Sequence, residues 1–358
     1  MNRKVNLLNS YERVMLALEG RSLQVDRVPY VNPTITATVE FMEAVGAQWP
    51  EVHHNPELMA EMASAGLKLA GLDMLTVPFD FMVEAEVLGA PIDFMEEPAS
   101  RGVIIWPMVK TFTVKEPSDV KPPRSVEEAG RIPVVTQAIK LLKSRFEGET
   151  PVNVVMNAPF TCVGYYLVNP AEFMKDLIMD PEKIRGILEA SVETFVRIAQ
   201  VYEEAGADVI TFHDMGASTA VISPQHFKEF AAPHLKRLAE AVKCKTILSI
   251  CGPNLRIIRE MVEVGADAIA LDERTSILEA RKLADEARRG YPIAGNISSK
   301  LLSSGSPEEI SNAVRKAISE GVDLVAPGCD LLLQTPTRNL RAAGEAVEKY
   351  GRRSLPFR

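Results

Sequence analysis

The sequence predicts an α/β fold, a single (β/α)8 barrel with a helical N-terminal extension. Three observations carry that prediction. Gly-Ala-Asp or Gly-Val-Asp elements begin at Gly206, Gly265 and Gly321, at intervals of 59 and 56 residues. Each closes a helical pattern and opens a short apolar run, as in "EEAGADVITFHD", "MVEVGADAIALDE" and "ISEGVDLVAPGCD". Strands that alternate with helices build a parallel sheet. The runs "VVM", "DVITF", "DAIAL" and "DLVAP" lack a polar alternation, which fits strands covered on both faces. An open doubly wound sheet is the alternative, but no strand is followed by a GxGxxG-like phosphate loop.

In chain order, residues 1–70 read as a Pro-interrupted helical prefix that caps the barrel, starting with the amphipathic "MNRKVNLLNSYERVMLALEG". This stretch carries acidic residues and no cleavage site, unlike a signal peptide. Residues 71–358 are the barrel, which at this length is still one domain. "GLDMLTVPFD" and "PVNVVMNAPF" supply strands of the first half; "KTILSICG" and "YPIAGNI" lie between the repeats. A Pro-rich insertion or flap occupies residues 95–125.

The net charge of −8 and the lack of a Lys/Arg-dense segment argue against nucleic acid as a partner. No apolar run approaches the ~20 residues needed to span a bilayer. Four cysteines (Cys162, Cys244, Cys251, Cys329) in so long a chain do not form a disulfide framework, which points to a reducing cytoplasm.

In a barrel of this kind the polar residues at strand C-termini line the active-site mouth. They are Asp80, Asn157, His213, Asp214, Cys251, Asp272, Glu273, Asn296 and Cys329. Cys251 ("ICGP") and Cys329 ("PGCD") suit a zinc ion, which prefers thiolates and in catalytic sites takes about three protein ligands. Glu273 offers an oxygen to such a site. Two unpaired cysteines also fill cores well, so both readings stand. Cys162 and Cys244 read as packing. His213 and Asp214 read as an acid–base pair, with Asp80 and Asn157 as further catalytic candidates, or as a packed ring and a turn cap. Phe79, Phe81, Met82, Met156, Phe160, Tyr165 and Tyr166, with Asn296, read as a substrate pocket or as core. Arg274 and Arg338 are the visible cations near the mouth. His53 and His54 are expected in a solvated loop, and His226 and His234 on a helix surface.

The segments "YERVMLALEGRSLQVDRVPYVNPTITATVEFMEAVGAQWPEVHHNPELMAEMA", "GLDMLTVPFDFMVEAEVLGA", "DPEKIRGILEASVE", "SPQHFKEFAAPHLKRL" and "APGCDLLLQTPTRNLRA" together resemble the uroporphyrinogen decarboxylase superfamily. Within it, the chain is most similar to the methylcobamide:coenzyme M and chloromethane:corrinoid methyltransferase branch. The resemblance implies zinc, with a corrinoid carried by a partner protein. A methyl group would pass between that corrinoid and a small molecule, either a thiol such as coenzyme M or a methoxylated donor. The branch's metal motif is His-x-Cys-Gly plus a distant Cys. Cys251 and Cys329 match it, but Ser249 stands at the histidine position. Two residues offer a repair: His213 on a neighbouring strand end, or Glu273, since related cobalamin-independent methionine synthases carry an acidic ligand at a similar spacing. Asp272 is the fallback to Glu273. A decarboxylase-like lyase is one alternative, disfavoured because "PYVNPTITATVEFM" lacks the arginines that hold tetrapyrrole carboxylates. A metal-free barrel that binds a corrinoid or methylated ligand is the other. The oligomeric state stays open, a homodimer included.

Overall fold

The computed structural model describes residues 8–353, so the start of the N-terminal helix pattern lies outside the described residues. The strands are β1 (Leu75–Val77), β2 (Ile92–Asp93), β3 (Met108–Val109), β4 (Val152–Asn157), β5 (Val209–His213), β6 (Lys245–Ser249), β7 (Ala268–Leu271), β8 (Ile293–Ile297) and β9 (Leu324–Pro327). Seven of them form one parallel sheet in the order β1-β4-β5-β6-β7-β8-β9; β2 and β3 form a separate antiparallel ribbon.

Residues 29–31 close the sheet on itself. On one side Val31 N–H donates to Val325 O at 2.9 Å, and Val325 N–H donates to Pro29 O at 2.9 Å. On the other, Asp73 N–H donates to Tyr30 O at 2.6 Å, just before β1. The eighth stave is therefore a single bridging residue, Tyr30, supplied by the segment ahead of the first regular strand. The expected (β/α)8 barrel is present.

The repeated Gly-x-Asp elements explain how the staves are held. Gly206, Gly265 and Gly321 take φ of 108°, 93° and 99°, a region that disfavours any side chain, and so turn each helix end into a strand. The aspartate two residues later accepts an N–H at the start of the neighbouring strand. Asp208 takes Val152 N–H at 2.9 Å, Asp267 takes Thr246 N–H at 2.9 Å and Asp323 takes Ile293 N–H at 2.9 Å. Each aspartate also holds a cation: Lys143, Lys245 and Arg281 respectively. The repeat thus pins adjacent strands at the end of the barrel opposite the mouth, where its role is stability.

The extension is tied down by charge. The helix Ser10–Leu18 starts in a capping box between Asn9 and Glu12. Its Arg13 reaches Asp26 at 2.8 Å and Asp73 at 2.9 Å, and Arg27 reaches Asp73 at 2.6 Å. Asp73 also accepts Tyr30 N–H at 2.8 Å, so one buried carboxylate fixes both the extension and the closing stave. The insertion folds back through Trp106, which stacks edge-on against Trp49 at 5.3 Å, while Trp49 Nε1 donates to Ile105 O at 3.0 Å. Among the described residues no helix is long and apolar enough to cross a membrane.

Candidate metal centre at the barrel mouth

Parallel strands in register deliver three donors to one point. His213 is the last residue of β5, and its Cα partner on β6 is Ser249. Two residues beyond Ser249 stands Cys251, and Cys329 follows β9. A ring nitrogen of His213 and the sulfurs of Cys251 and Cys329 all lie within 4.8 Å of one another.

The turns beside the cysteines depend on glycine. Gly252 has φ +118°, and a Cβ there would overlap Ser218 Oγ. Gly328 passes so close to β7 that a Cβ would sit 2.8 Å from Asp272 Cα. Cys251 is buried and Cys329 half-buried beside these turns. Cys251 Sγ lies 3.6 Å from Gly328 O, which ties the two turns to each other. The two sulfurs are joined as a disulfide, with Cα atoms 6.1 Å apart, where the sequence predicts two free thiols. Positions 78 residues apart in sequence meet because their strands end on the same rim. Reduced, the same pair presents two thiolates.

His213 is fully buried and its environment fixes it closely. Its ring stacks on Phe81 with centroids 4.6 Å apart and planes 7° from parallel. Nδ1 lies 3.3 Å from Ser249 Oγ, whereas Nε2 has no hydrogen-bond partner. Burial pushes the imidazole pKa down to about 4, so the ring is neutral near pH 7 and has a lone pair to offer.

The remaining predicted residues occupy other roles. Glu273 is exposed, accepts from Ser298 Oγ at 3.0 Å and stands outside the three-donor group. Asp272 accepts Gly252 N–H at 2.7 Å and Arg274 Nε at 2.7 Å, so its oxygens hold the Cys251 turn. Asp214 accepts Thr161 N–H at 2.9 Å and Thr161 Oγ at 2.5 Å. Burial pushes its pKa up to about 7 against those hydrogen bonds. Asn157 Nδ2 donates to Phe81 O at 2.6 Å, which steadies the ring that backs His213. Asn296 Nδ2 donates to Thr275 O at 3.1 Å.

Asp80 sits in a buried ion cluster. Arg131 grips it through two nitrogens at 2.7 and 2.9 Å and reaches Glu86 at 2.8 Å, while His53 Nδ1 lies 2.8 Å from it. Burial alone would raise the Asp80 pKa, but Arg131 and then His53 hold its carboxyl well below the usual range. His53, expected in solvent, is buried instead, because its short turn packs it against Trp49 at 4.1 Å. His234, expected on a surface, is buried as well. Phe79, Met82, Met156 and Phe160 are buried in the main core, and Phe160 packs edge-on against Phe173 at 5.2 Å. Tyr165 and Tyr166 are half-buried. Cys162 is buried and Cys244 half-buried.

Sequence reasoning overlooked Asn254 and Thr275. Asn254 Nδ2 donates to Ile250 O at 2.7 Å, and Thr275 Oγ1 donates to Gly252 O at 2.8 Å, so the pair braces both sides of Cys251. The Asn at the end of "ICGPN" is the signal that was available, since Asn is a common turn-former.

The profile of the family described as uroporphyrinogen decarboxylase (URO-D) matches residues 9–350. The methylcobamide:CoM methyltransferase MtaA of Methanosarcina barkeri is 33% identical over 340 residues, covering 94% of this chain and 97% of that protein. The methylated-thiol–coenzyme M methyltransferase of Methanosarcina mazei is 32% identical, covering 96% of this chain and 90% of that protein. A solved structure of a methyltransferase from Methanosarcina mazei superposes with a TM-score of 0.88 at 31% identity, covering 96% of this chain and 99% of that one.

Proposed function

The chain belongs to the uroporphyrinogen decarboxylase family, on its methyltransferase side, and we propose that it transfers a methyl group from a corrinoid on a partner protein to a thiol such as coenzyme M. The observation that carries this reading is the meeting of two cysteine sulfurs and a neutral imidazole at the barrel mouth. The two sequence relatives named above are, by their names, methyltransferases of coenzyme M, which supports the same acceptor class here.

The donor set fits zinc. Two sulfurs and one imidazole nitrogen are its preferred ligands, and three protein donors leave a position for substrate. The unpartnered Nε2 of His213 is the kind of buried polar atom that a metal satisfies. Cys251, Cys329 and His213 would hold the ion, and a bound zinc supplies a lower pKa for the acceptor thiol, which stays a thiolate near neutral pH. The cysteines must be reduced for this, so the reading goes with a reducing, cytoplasmic setting.

The chain's own contribution is placement. Phe81 and Ser249 hold the His213 ring, and Asp272, Asn254 and Thr275 hold the Cys251 turn. The thiolate sulfur forms the new carbon–sulfur bond, and the electron pair of the cobalt–carbon bond stays on cobalt. The thiol proton goes to solvent. Fixing the acceptor in line with an incoming methyl group is the main catalytic service of such a barrel. A methoxylated donor is less well supported, since Phe79, Met156 and Phe160, which would suit one, are packed into the core.

The test is spectroscopic. Reduced, zinc-loaded protein with methylcobalamin and coenzyme M should convert the methylcobalamin spectrum to that of demethylated cobalamin. Cys251→Ala and Cys329→Ala should each abolish the change. Full activity in either variant, or turnover only with Co(I) cobalamin and a methoxylated donor, overturns the proposal.

A further inference from the structure

The geometry assigns Ser249 the role of a positioning residue: its hydroxyl occupies Nδ1 of His213 and so leaves Nε2 as the nitrogen donor beside Cys251 and Cys329. This rests on the metal-centre reading above and goes beyond it, because that reading points to Nε2 without saying what keeps its lone pair free.

Three features of the site converge on the assignment. The strand register makes His213 and Ser249 direct Cα partners, so their side chains leave the sheet on the same face. Ser249 is only 2% exposed and its Oγ lies 3.3 Å from Nδ1, within reach of a hydrogen bond. Nε2 is buried with no partner, and the two sulfurs are the donor atoms grouped with this ring. Phe81, stacked parallel to the ring, holds the imidazole in the plane in which Nδ1 faces Ser249. With Nδ1–H donated to Ser249 Oγ, the lone pair resides on Nε2. A histidine ligand is commonly fixed in this way by a second partner on its other nitrogen, and losing that partner weakens metal binding about 10- to 100-fold.

Serine suits the task chemically, since its hydroxyl can accept from a neutral imidazole without adding charge.

The experiment uses the full, reduced chain and zinc or cobalt(II) alone as the probe. Zinc affinity is measured by competition with a chromogenic chelator, and the donor set by the visible spectrum of the cobalt(II) form. Ser249→Ala should weaken zinc about 10- to 100-fold, and Ser249→Thr, which restores a hydroxyl, should recover most of that loss. His213→Ala should change the cobalt(II) spectrum by removing a nitrogen donor. Nitrogen NMR of the zinc-free protein should show His213 as one tautomer, protonated on Nδ1, and as a mixture in Ser249→Ala. Unchanged or tighter zinc binding in Ser249→Ala, or a wild-type tautomer protonated on Nε2, overturns the assignment. A wild-type chain that binds no zinc overturns the metal-centre reading instead, and the tautomer measurement still decides the role of Ser249.

Discussion

Replacing Gly252 by alanine should destabilise the protein because two separate costs meet at one atom. Gly252 has φ +118°, a backbone region that costs a non-glycine residue about 1–3 kcal/mol. The added Cβ would also overlap Ser218 Oγ and lie 3.1 Å from Ser218 Cβ. Ser218 must then yield its hydrogen bond to Asn254 Oδ1, now 3.1 Å long, worth about 1 kcal/mol. The expected total is about 2–4 kcal/mol. Ser218→Ala removes the clashing oxygen but not the backbone cost, and Asn254 Oδ1 keeps the Thr219 N–H at 3.2 Å. The double variant should therefore be less destabilised than the sum of the singles by about 1–2 kcal/mol. Urea unfolding of the reduced protein, followed by the fluorescence of Trp49 and Trp106, measures all four corners of the cycle. A loss below about 0.5 kcal/mol in Gly252→Ala, the range of an ordinary surface change, would show that neither cost operates at this turn. Strict additivity with Ser218→Ala would show that the overlap is relieved without cost.

Two further outcomes are expected from buried charge. Glu84 is 1% exposed, and burial pushes its pKa up to about 8, well above its unfolded value near 4.3. Between those values the folded chain holds a proton that the unfolded chain releases, so stability falls as pH rises through that window. The slope is at most about 1.4 kcal/mol per pH unit. Glu84→Gln should flatten the decline in urea midpoint between about pH 5 and 8; an unaltered slope would remove Glu84 as its source. Asp80→Ala should cost about 3–5 kcal/mol, because it strands Arg131, itself only 3% exposed, without its bidentate partner. Methyl transfer lost with an unchanged unfolding midpoint would instead place Asp80 in the chemistry.

Much of this protein could be read from short segments. The Gly-x-Asp spacing, the unbroken apolar runs and the cysteines beside glycines are local signals, and each marks a turn or strand end that local physics alone demands. The barrel and the two sulfurs follow from them. Other features could not be read this way. Asp80 looked like a mouth residue, yet its partners Arg131 and His53 lie 51 and 27 residues away and hold it in a buried cluster, with Arg131 balancing its charge. Phe79 and Phe160 read as core or, failing that, as pocket, and packing against other segments places them in the core.

Most strands, their order along the chain and the residues at their ends are legible in the chain, because period, glycine and capping are properties of neighbours; the Tyr30 stave is not, since it exists only by pairing with residues far along the chain. Which of those ends face one another is set by the three-dimensional pairing of the strands. The register between β5 and β6 sets His213 beside Ser249, and closure of the ring brings Cys329 to Cys251. A one-residue slip in that register would send the imidazole to the other face of the sheet. The third donor of the site is therefore a consequence of strand pairing, which no single stretch of the chain encodes.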